Sequence, residues 1–282
     1  MYDLSGKVAL VTGAGGEHGF GRAIATRLAH EGADVAVNDV AANPYGVGGG
    51  AGPSGWGGLD AVVREIEAAG RGALAALADV SDAAQVDGMV TQVLERFGRI
   101  DILVCNAGSR PGRDRVPVVE LSEEAFDEVQ RVNVKGTFLC SRAVARHMLE
   151  RGGGGKIIVI SSTAGKRGQA LYAAYSASKF ALVGFTQALA QELGPAGVNV
   201  NAICPGLAET ERALQIAEAV RPEGTSAGEQ LARMVSDRSA ATPLGRITEA
   251  GDVASMAAFL ASSESDFLTG LALSVSGGDV MF

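Results

Sequence analysis

The sequence is short of several residue types at once. Among its 282 residues are one Trp, four Tyr, three His and three Cys, and aromatics make up only 5%. Cys105, Cys140 and Cys204 are odd in number, far apart and set in apolar surroundings. That pattern suits reduced core thiols of a cytoplasmic protein and not a disulfide framework. His18, His30 and His147 have no ligand spacing, which excludes a histidine-based zinc centre. No apolar stretch approaches the roughly 18 residues needed to span a bilayer. Basic residues are in deficit, 24 Lys and Arg against 32 Asp and Glu, for a net charge of −8. Nucleic acid is therefore not an expected partner, because phosphate binding needs a basic surface. The opening segment, MYDLSGKVALVTG, has no basic-then-apolar leader and runs straight into a strand-like stretch.

What the sequence has is a rhythm. Hydrophobic residues make up 47% of it and mean hydropathy is +0.18, enough apolar material for one large core. Short β-branched runs at Lys7–Thr12, Asp34–Asn38, Ala73–Ala78, Asp101–Cys105, Lys156–Ser161, Val198–Cys204 and Ala272–Ser276 predict strands. Amphipathic or alanine-rich segments between them predict helices at Phe20–Glu31, Leu59–Ala69, Asp82–Phe97, Glu123–Glu150, Tyr172–Leu193 and Glu249–Ala261. Strands alternating with helices imply a seven-stranded parallel sheet covered on both faces, a doubly wound α/β fold. No Pro- or Ser-rich linker divides the pattern, so residues 1–282 are expected to form a single domain. Two segments interrupt it. Asn43–Gly58 is glycine-rich and is expected to be a surface insertion. Leu207–Leu244 is a long helical excursion holding Pro222 and Gly224, expected to break into two pieces and to serve as a substrate lid.

The first strand ends in TGAGGEHGFG and feeds a helix. Glycines at Gly13, Gly19 and Gly21 let backbone approach a pyrophosphate, and the helix N-terminus beginning at Phe20 offers free amides. The second strand ends at Asp39, whose carboxylate suits an adenosine ribose diol and would repel a 2′-phosphate. No Arg or Lys neighbours it in the sequence, so NAD is expected over NADP. Asp79 and Val80, at the end of the third strand, are placed to meet the adenine end, with helix capping the competing role for Asp79.

Tyr175 and Lys179 are four positions apart on a helical segment and face the same side. An ammonium group beside a phenol favours the phenolate and makes it a usable proton shuttle. Ser162 ends the preceding strand 13 residues before Tyr175, so the two hydroxyls can converge on one substrate oxygen.

In these residues the chain resembles the short-chain dehydrogenase/reductase family, over nearly its whole length. The resemblance is carried by the glycine loop Thr12–Gly21, the turn Asn106-Ala107-Gly108, Asn133, Ser162, Tyr175-Ser-Ala-Ser-Lys179 and the Pro205-Gly206 turn with Thr210. It implies a Rossmann-type sheet and a nicotinamide cofactor. By the same resemblance Tyr175 would be the general acid/base, and Lys179 would hold the nicotinamide ribose and lower the tyrosine pKa. Ser162 would orient the reacting oxygen, and Asn133 would hold a water linking Lys179 to solvent. Asn106 would line the adenosine side, and Thr210 would contact the nicotinamide amide. The stretch YAAYSASKFALVGFTQALA and the ending SVSGGDVMF look similar to polyol, sugar and diol dehydrogenases, and the resemblance favours a homotetramer. Substrate identity is expected to lie in Leu207–Leu244 and in side chains such as Gln169.

The chain departs from the family pattern in places. Gly19 and Gly21 stand six and eight positions after Gly13, two residues longer than usual, and Cys105 replaces the first Asn of the turn. The longer loop resembles the enoyl-acyl-carrier-protein reductases, in which a tyrosine seven before the lysine acts, as Tyr172 would here. Reduction of 3-oxoacyl thioesters also fits the family pattern, and a nucleotide-binding role without catalysis fits the fold. Arg110, Arg113 and Arg115, after the fourth strand, are expected on a solvated loop, although the same charges could favour an anionic substrate.

Overall fold

A computed structural model describes residues 2–46 and 55–282. Its strands are β1 (Val8–Thr12), β2 (Asp34–Asp39), β3 (Ala73–Leu77), β4 (Ile102–Cys105), β5 (Gly155–Ile160), β6 (Val198–Pro205) and β7 (Ala272–Val275). They form one parallel sheet in the order β3-β2-β1-β4-β5-β6-β7. Alternation along β1 explains the two-sided cover. Val8 and Leu10 enter the core on one face, against α3 (Ala83–Phe97), α5 (Gly136–Arg151) and α6 (Ala173–Leu193). Ala9 and Val11 enter the other, against α1 (Phe20–His30), α2 (Leu59–Ala68) and α9 (Ala250–Ala261). A strand buried on both faces must be apolar throughout, and VALVT nearly is.

Chain order reverses between β1 and β4, and a crevice opens there beyond the strand C-termini. All three cysteines are buried free thiols, and burial pushes that of Cys105 up to about 12.

Two departures from expectation bear on the crevice. The expected helix Glu123–Glu150 is α4 (Glu123–Gln130), a π turn at Arg131–Lys135, and then α5. The wide turn inserts one extra residue and rotates Asn133 inward, where it is wholly buried. The excursion after β6 forms α7 (Glu211–Val220) and α8 (Ala227–Ala241), with Pro222 and Gly224 in the bend between them. Of the glycine-rich insertion, residues 47–54 lie outside the described residues. Its two ends are tied together, Asn43 donating to the carbonyl of Trp56 at 2.8 Å and Leu59 N–H to that of Ala42 at 2.7 Å.

Candidate active site

The glycine loop is held shut from below and left open above. Gly13 has φ +69°, and a Cβ there would stand 2.7 Å from Ala107 Cα. A Cβ on Gly21 would run into the carbonyl oxygen of Gly13, so neither position admits another residue unchanged. Asn106 spends its amide group on this loop, donating to the carbonyls of Thr12 at 2.9 Å and Gly13 at 2.8 Å. Gly19 caps α1 without a side-chain hydrogen bond, and no acidic residue occupies the first turn. Uncapped amides at a helix N-terminus, in a crevice, are an anion site. The chain supplies an anion of its own nearby: Glu211 Oε1 accepts from the amide of His18 at 2.7 Å.

Asp39 borders the same crevice with Phe20, Asp79, Val80, Asn106 and Thr210. Its carboxylate accepts from Gly15 N–H at 3.0 Å and from Val40 N–H at 2.8 Å. Burial nevertheless raises its pKa, only partly offset by these amides and by the guanidinium of Arg110. That arginine is a correction. No cation neighbours Asp39 in the sequence, but the loop after β4 brings Arg110 into the cleft, where it donates to the carbonyl of Pro44. Asp79 lies two residues beyond the end of β3, where the chain has already turned. Its carboxylate accepts from Ser81 and Arg131, while Asp82 caps α3. The donor set, the open helix N-terminus and the glycine cradle fit a dinucleotide.

Farther along the crevice, α6 carries Tyr175 and Lys179 on one face. Lys179 is buried, and its Nζ donates to the carbonyl of Ile160 at 2.8 Å and stands 5.6 Å from the ring centroid of Tyr175. Desolvation alone would push the Tyr175 phenol up. The Lys179 and Arg212 cations, a hydrogen bond with Ser162 and the Arg115 cation outweigh it and hold the group below its usual 10. Lys179 is lowered too, by burial first and by Arg212 after. Tyr172 behaves oppositely, since burial outweighs Arg115 and raises it. The two rings meet edge-on, 6.2 Å apart.

Both polar atoms of the Asn133 side chain are hydrogen-bonded. Oδ1 accepts from Ser109 N–H at 2.8 Å, and Nδ2 donates to Ser178 Oγ at 2.9 Å. It thereby ties the loop after β4 to α6 one residue from Lys179. The other wall of the cleft is formed by Ser162, Gln169, Leu207, Ala208, Ile216 and Met234, with Thr210 shared between the two halves. Thr210 also caps α7, accepting from Ala213 N–H at 3.3 Å. Sequence reasoning missed Arg212, Glu211 and the burial of Arg115. Arg115 is 3% exposed and stacked against both tyrosines, so the solvated-loop expectation fails for it.

The family model described as enoyl-(acyl carrier protein) reductase matches residues 57–279. The chain is 38% identical over 279 residues to sorbitol dehydrogenase of Cereibacter sphaeroides, covering 99% of both. Among solved structures, carveol dehydrogenase from Mycobacterium avium in complex with NAD superposes with a TM-score of 0.87 at 29% identity, covering 99% of both chains. A variant of actinorhodin polyketide ketoreductase with NADPH gives 0.83 at 36%, covering 98% of each. The chain belongs to the short-chain dehydrogenase/reductase family and is an oxidoreductase of alcohol and carbonyl groups that uses a nicotinamide cofactor.

Proposed function

We propose that the protein is an NAD-dependent dehydrogenase that interconverts small secondary alcohols, of the polyol, sugar or diol kind, with their ketones. The carrying observation is the Tyr175 phenol, held below its usual pKa by Lys179 and facing Ser162. In the oxidative direction Tyr175 takes the hydroxyl proton of the alcohol, and Ser162 donates to the developing carbonyl oxygen. A nicotinamide dinucleotide, when bound, accepts the hydride released from the carbinol carbon. Lys179 keeps the phenol acidic and is the group to hold the nicotinamide ribose. A water relay from Lys179 through Asn133 would run by its backbone carbonyl, which also accepts from Thr137 Oγ1 at 2.8 Å.

Asp39 supports NAD over NADP. At an effective dielectric of about 20, two charges near 4 Å repel by roughly 4 kcal/mol, and screening and Arg110 reduce this. A preference of about tenfold or more remains. Asp39→Ala erodes it, mainly by weakening NAD. Sorbitol and carveol dehydrogenase, by their names, act on alcohols of very different shape, so the substrate class rests on the cleft wall with Gln169.

In this reading α7 and α8 form the lid. They pack through their own small cluster of Ala213, Ala217 and Leu231, apart from both main cores, which suits an element that opens locally. A homotetramer in the cytoplasm completes the proposal. Buried free thiols support that compartment, and among the described residues no helix is long and apolar enough to cross a membrane. The test is a screen of polyols, diols, sugars, cyclic alcohols, hydroxysteroids and acyl thioesters with both nicotinamides. Turnover of secondary alcohols with NAD is the expected result. Absence of turnover with either cofactor defeats the reading, and tighter NADP binding defeats the cofactor assignment.

A further inference from the structure

The substrate cleft is ringed by guanidinium groups, and their charges are not equally compensated. Arg238 is paired with Asp279, to which it donates at 2.9 and 3.0 Å and which also accepts from Arg167 at 3.2 Å. Arg115, whose side chain is wholly buried, is paired with Asp114 through Nη1. Its guanidinium lies 4.2 Å from the Tyr172 ring centroid and 4.9 Å from that of Tyr175, with Nε and Nη2 lacking hydrogen-bond partners. Arg212 differs from both. Its guanidinium stands 5.0 Å from the Tyr175 ring centroid and borders the substrate half of the cleft. Nη1 donates to the carbonyl of Ser109, Nη2 is buried with no partner, and among the described residues no carboxylate pairs with it. Its neighbour Glu211 is turned away to the glycine loop, and the acid that lines this half among the described residues, Asp237, is exposed at the rim. A cation with an orphaned donor, beside the group that handles the reacting oxygen, costs free energy until an anion meets it.

We propose that Arg212 receives an anionic group of the substrate, so that the alcohols used best are short hydroxy acids, with the carboxylate close to the carbinol carbon. The proposal rests on the secondary-alcohol dehydrogenase reading above and replaces its neutral polyol, sugar or diol class with an anionic one. Arg115 acts behind the tyrosine pair as a positioning residue, its guanidinium packed over both rings. The reaction is that of any secondary alcohol: the carbinol hydrogen leaves as hydride to the oxidised nicotinamide, and the hydroxyl proton goes to Tyr175. The carboxylate is unchanged throughout. Because Arg212 borders both halves of the cleft, a cofactor phosphate is the rival source of the same anion chemistry, and the test separates them.

The experiment compares kcat/KM for lactate and 3-hydroxybutyrate with their methyl esters and with neutral diols of similar length. It uses the unmodified protein, Arg212→Gln and Arg212→Lys, and measures the NAD dissociation constant of each. Removing Arg212 also shifts the Tyr175 phenol, but that affects acid and ester alike and cancels in their ratio. The acid is expected to be preferred, and Arg212→Gln to cut the acid-to-ester ratio by about 10- to 100-fold, the range of one charge-assisted hydrogen bond. Arg212→Lys should restore part of it, with NAD affinity near that of the unmodified protein. An acid-to-ester ratio that does not move in Arg212→Gln overturns the proposal. So does a loss of NAD affinity as large as the loss on the acid, which assigns Arg212 to the cofactor. Esters or diols turned over while acids are refused sink this inference alone. If no alcohol of either kind reacts, the dehydrogenase reading falls first and this one with it.

Discussion

Glu211, at the start of α7, holds its carboxylate 2.7 Å from the amide of His18 in the glycine loop, 193 residues earlier in the chain. The contact joins α7 to the glycine loop, and on the proposed reading it occupies an amide that a pyrophosphate would use. An entering dinucleotide must displace this carboxylate or share the loop with a like charge. Glu211→Gln should therefore tighten NAD binding by about three- to tenfold, the worth of one partly exposed charge contact at a helix N-terminus. Isothermal titration of both proteins at low salt measures it. Weaker binding in the variant would mean that Glu211 assists the cofactor.

The choice between Tyr175 and Tyr172 rests on charge as well as spacing. Tyr175 has its phenol lowered with Lys179 5.6 Å from its ring, whereas Tyr172 is raised by burial. Tyr175→Phe should cut turnover by about 100- to 10,000-fold with NAD binding intact, and Tyr172→Phe by about tenfold or less. Oxidation needs the phenolate, so activity in the unmodified protein rises with pH through a value below 10. Removing the ammonium in Lys179→Met lifts that value and moves the rising limb to higher pH. An inactive Tyr172→Phe beside an active Tyr175→Phe would transfer the chain to enoyl reduction.

Strand positions were legible because a sheet buried on both faces demands unbroken apolar runs, and VALV, VAV and IIV provide them. The grouping of Ser162, Tyr175 and Lys179 was legible for a related reason, since strand ends and one helical turn have fixed geometry. The π turn at Asn133 was not, because no residue in RVNVK distinguishes a wide turn from an ordinary one. Arg110, Arg115 and Glu211 were illegible in another way. Each acts through loop paths that carry a charge across the crevice to Asp39, Tyr175 or His18, and spacing in the sequence says nothing of that.

Asp101 sets how acid affects stability at the foot of the sheet. Its buried carboxylate accepts from Val8 N–H at 3.0 Å, from Arg99 Nε at 2.8 Å and from Arg151 at 2.8 Å, tying β1 and β4 to the end of α5. Burial pushes its pKa up, but Arg99, the Val8 amide and Arg151 more than reverse this, leaving it below the usual 3.8. A depressed folded value means that the stabilisation is present above 3.8 and is lost as pH falls through Asp101's own lower value. Asp101→Asn should cost about 2 kcal/mol at neutral pH, less than a fully buried pair because Arg99 is 40% exposed. Urea titrations at neutral pH and near pH 3 give the comparison. An equal cost at both would mean that the contribution is packing and not charge.

The outer faces of α5 and α6 carry more apolar surface than a lone chain needs. Phe138 is 41% exposed, Phe180 46% and Leu149 50%, and Phe138 meets Phe185 edge-on at 6.5 Å. Of the small residues of α6 expected to allow close packing, Ala174 is buried and Ala173 half-buried, but Ala177, Ala181 and Gly184 are exposed beside Phe180 and form a stripe. Small residues let two helices approach closely, and a two-fold axis places the same stripe against itself. An interface of roughly 1,600 Å² in total is the usual scale of a stable pair. At micromolar concentration, light scattering should therefore give at least the mass of a dimer, and that of the proposed tetramer where a second two-fold contact joins two such pairs. Phe180→Asp, which sets like charges near the axis, should lower that mass to about half or less and make thermal stability depend more steeply on concentration. A monomeric mass for the unmodified protein at the same concentration would refute pairing through these helices, and an unchanged mass in Phe180→Asp would move the interface elsewhere.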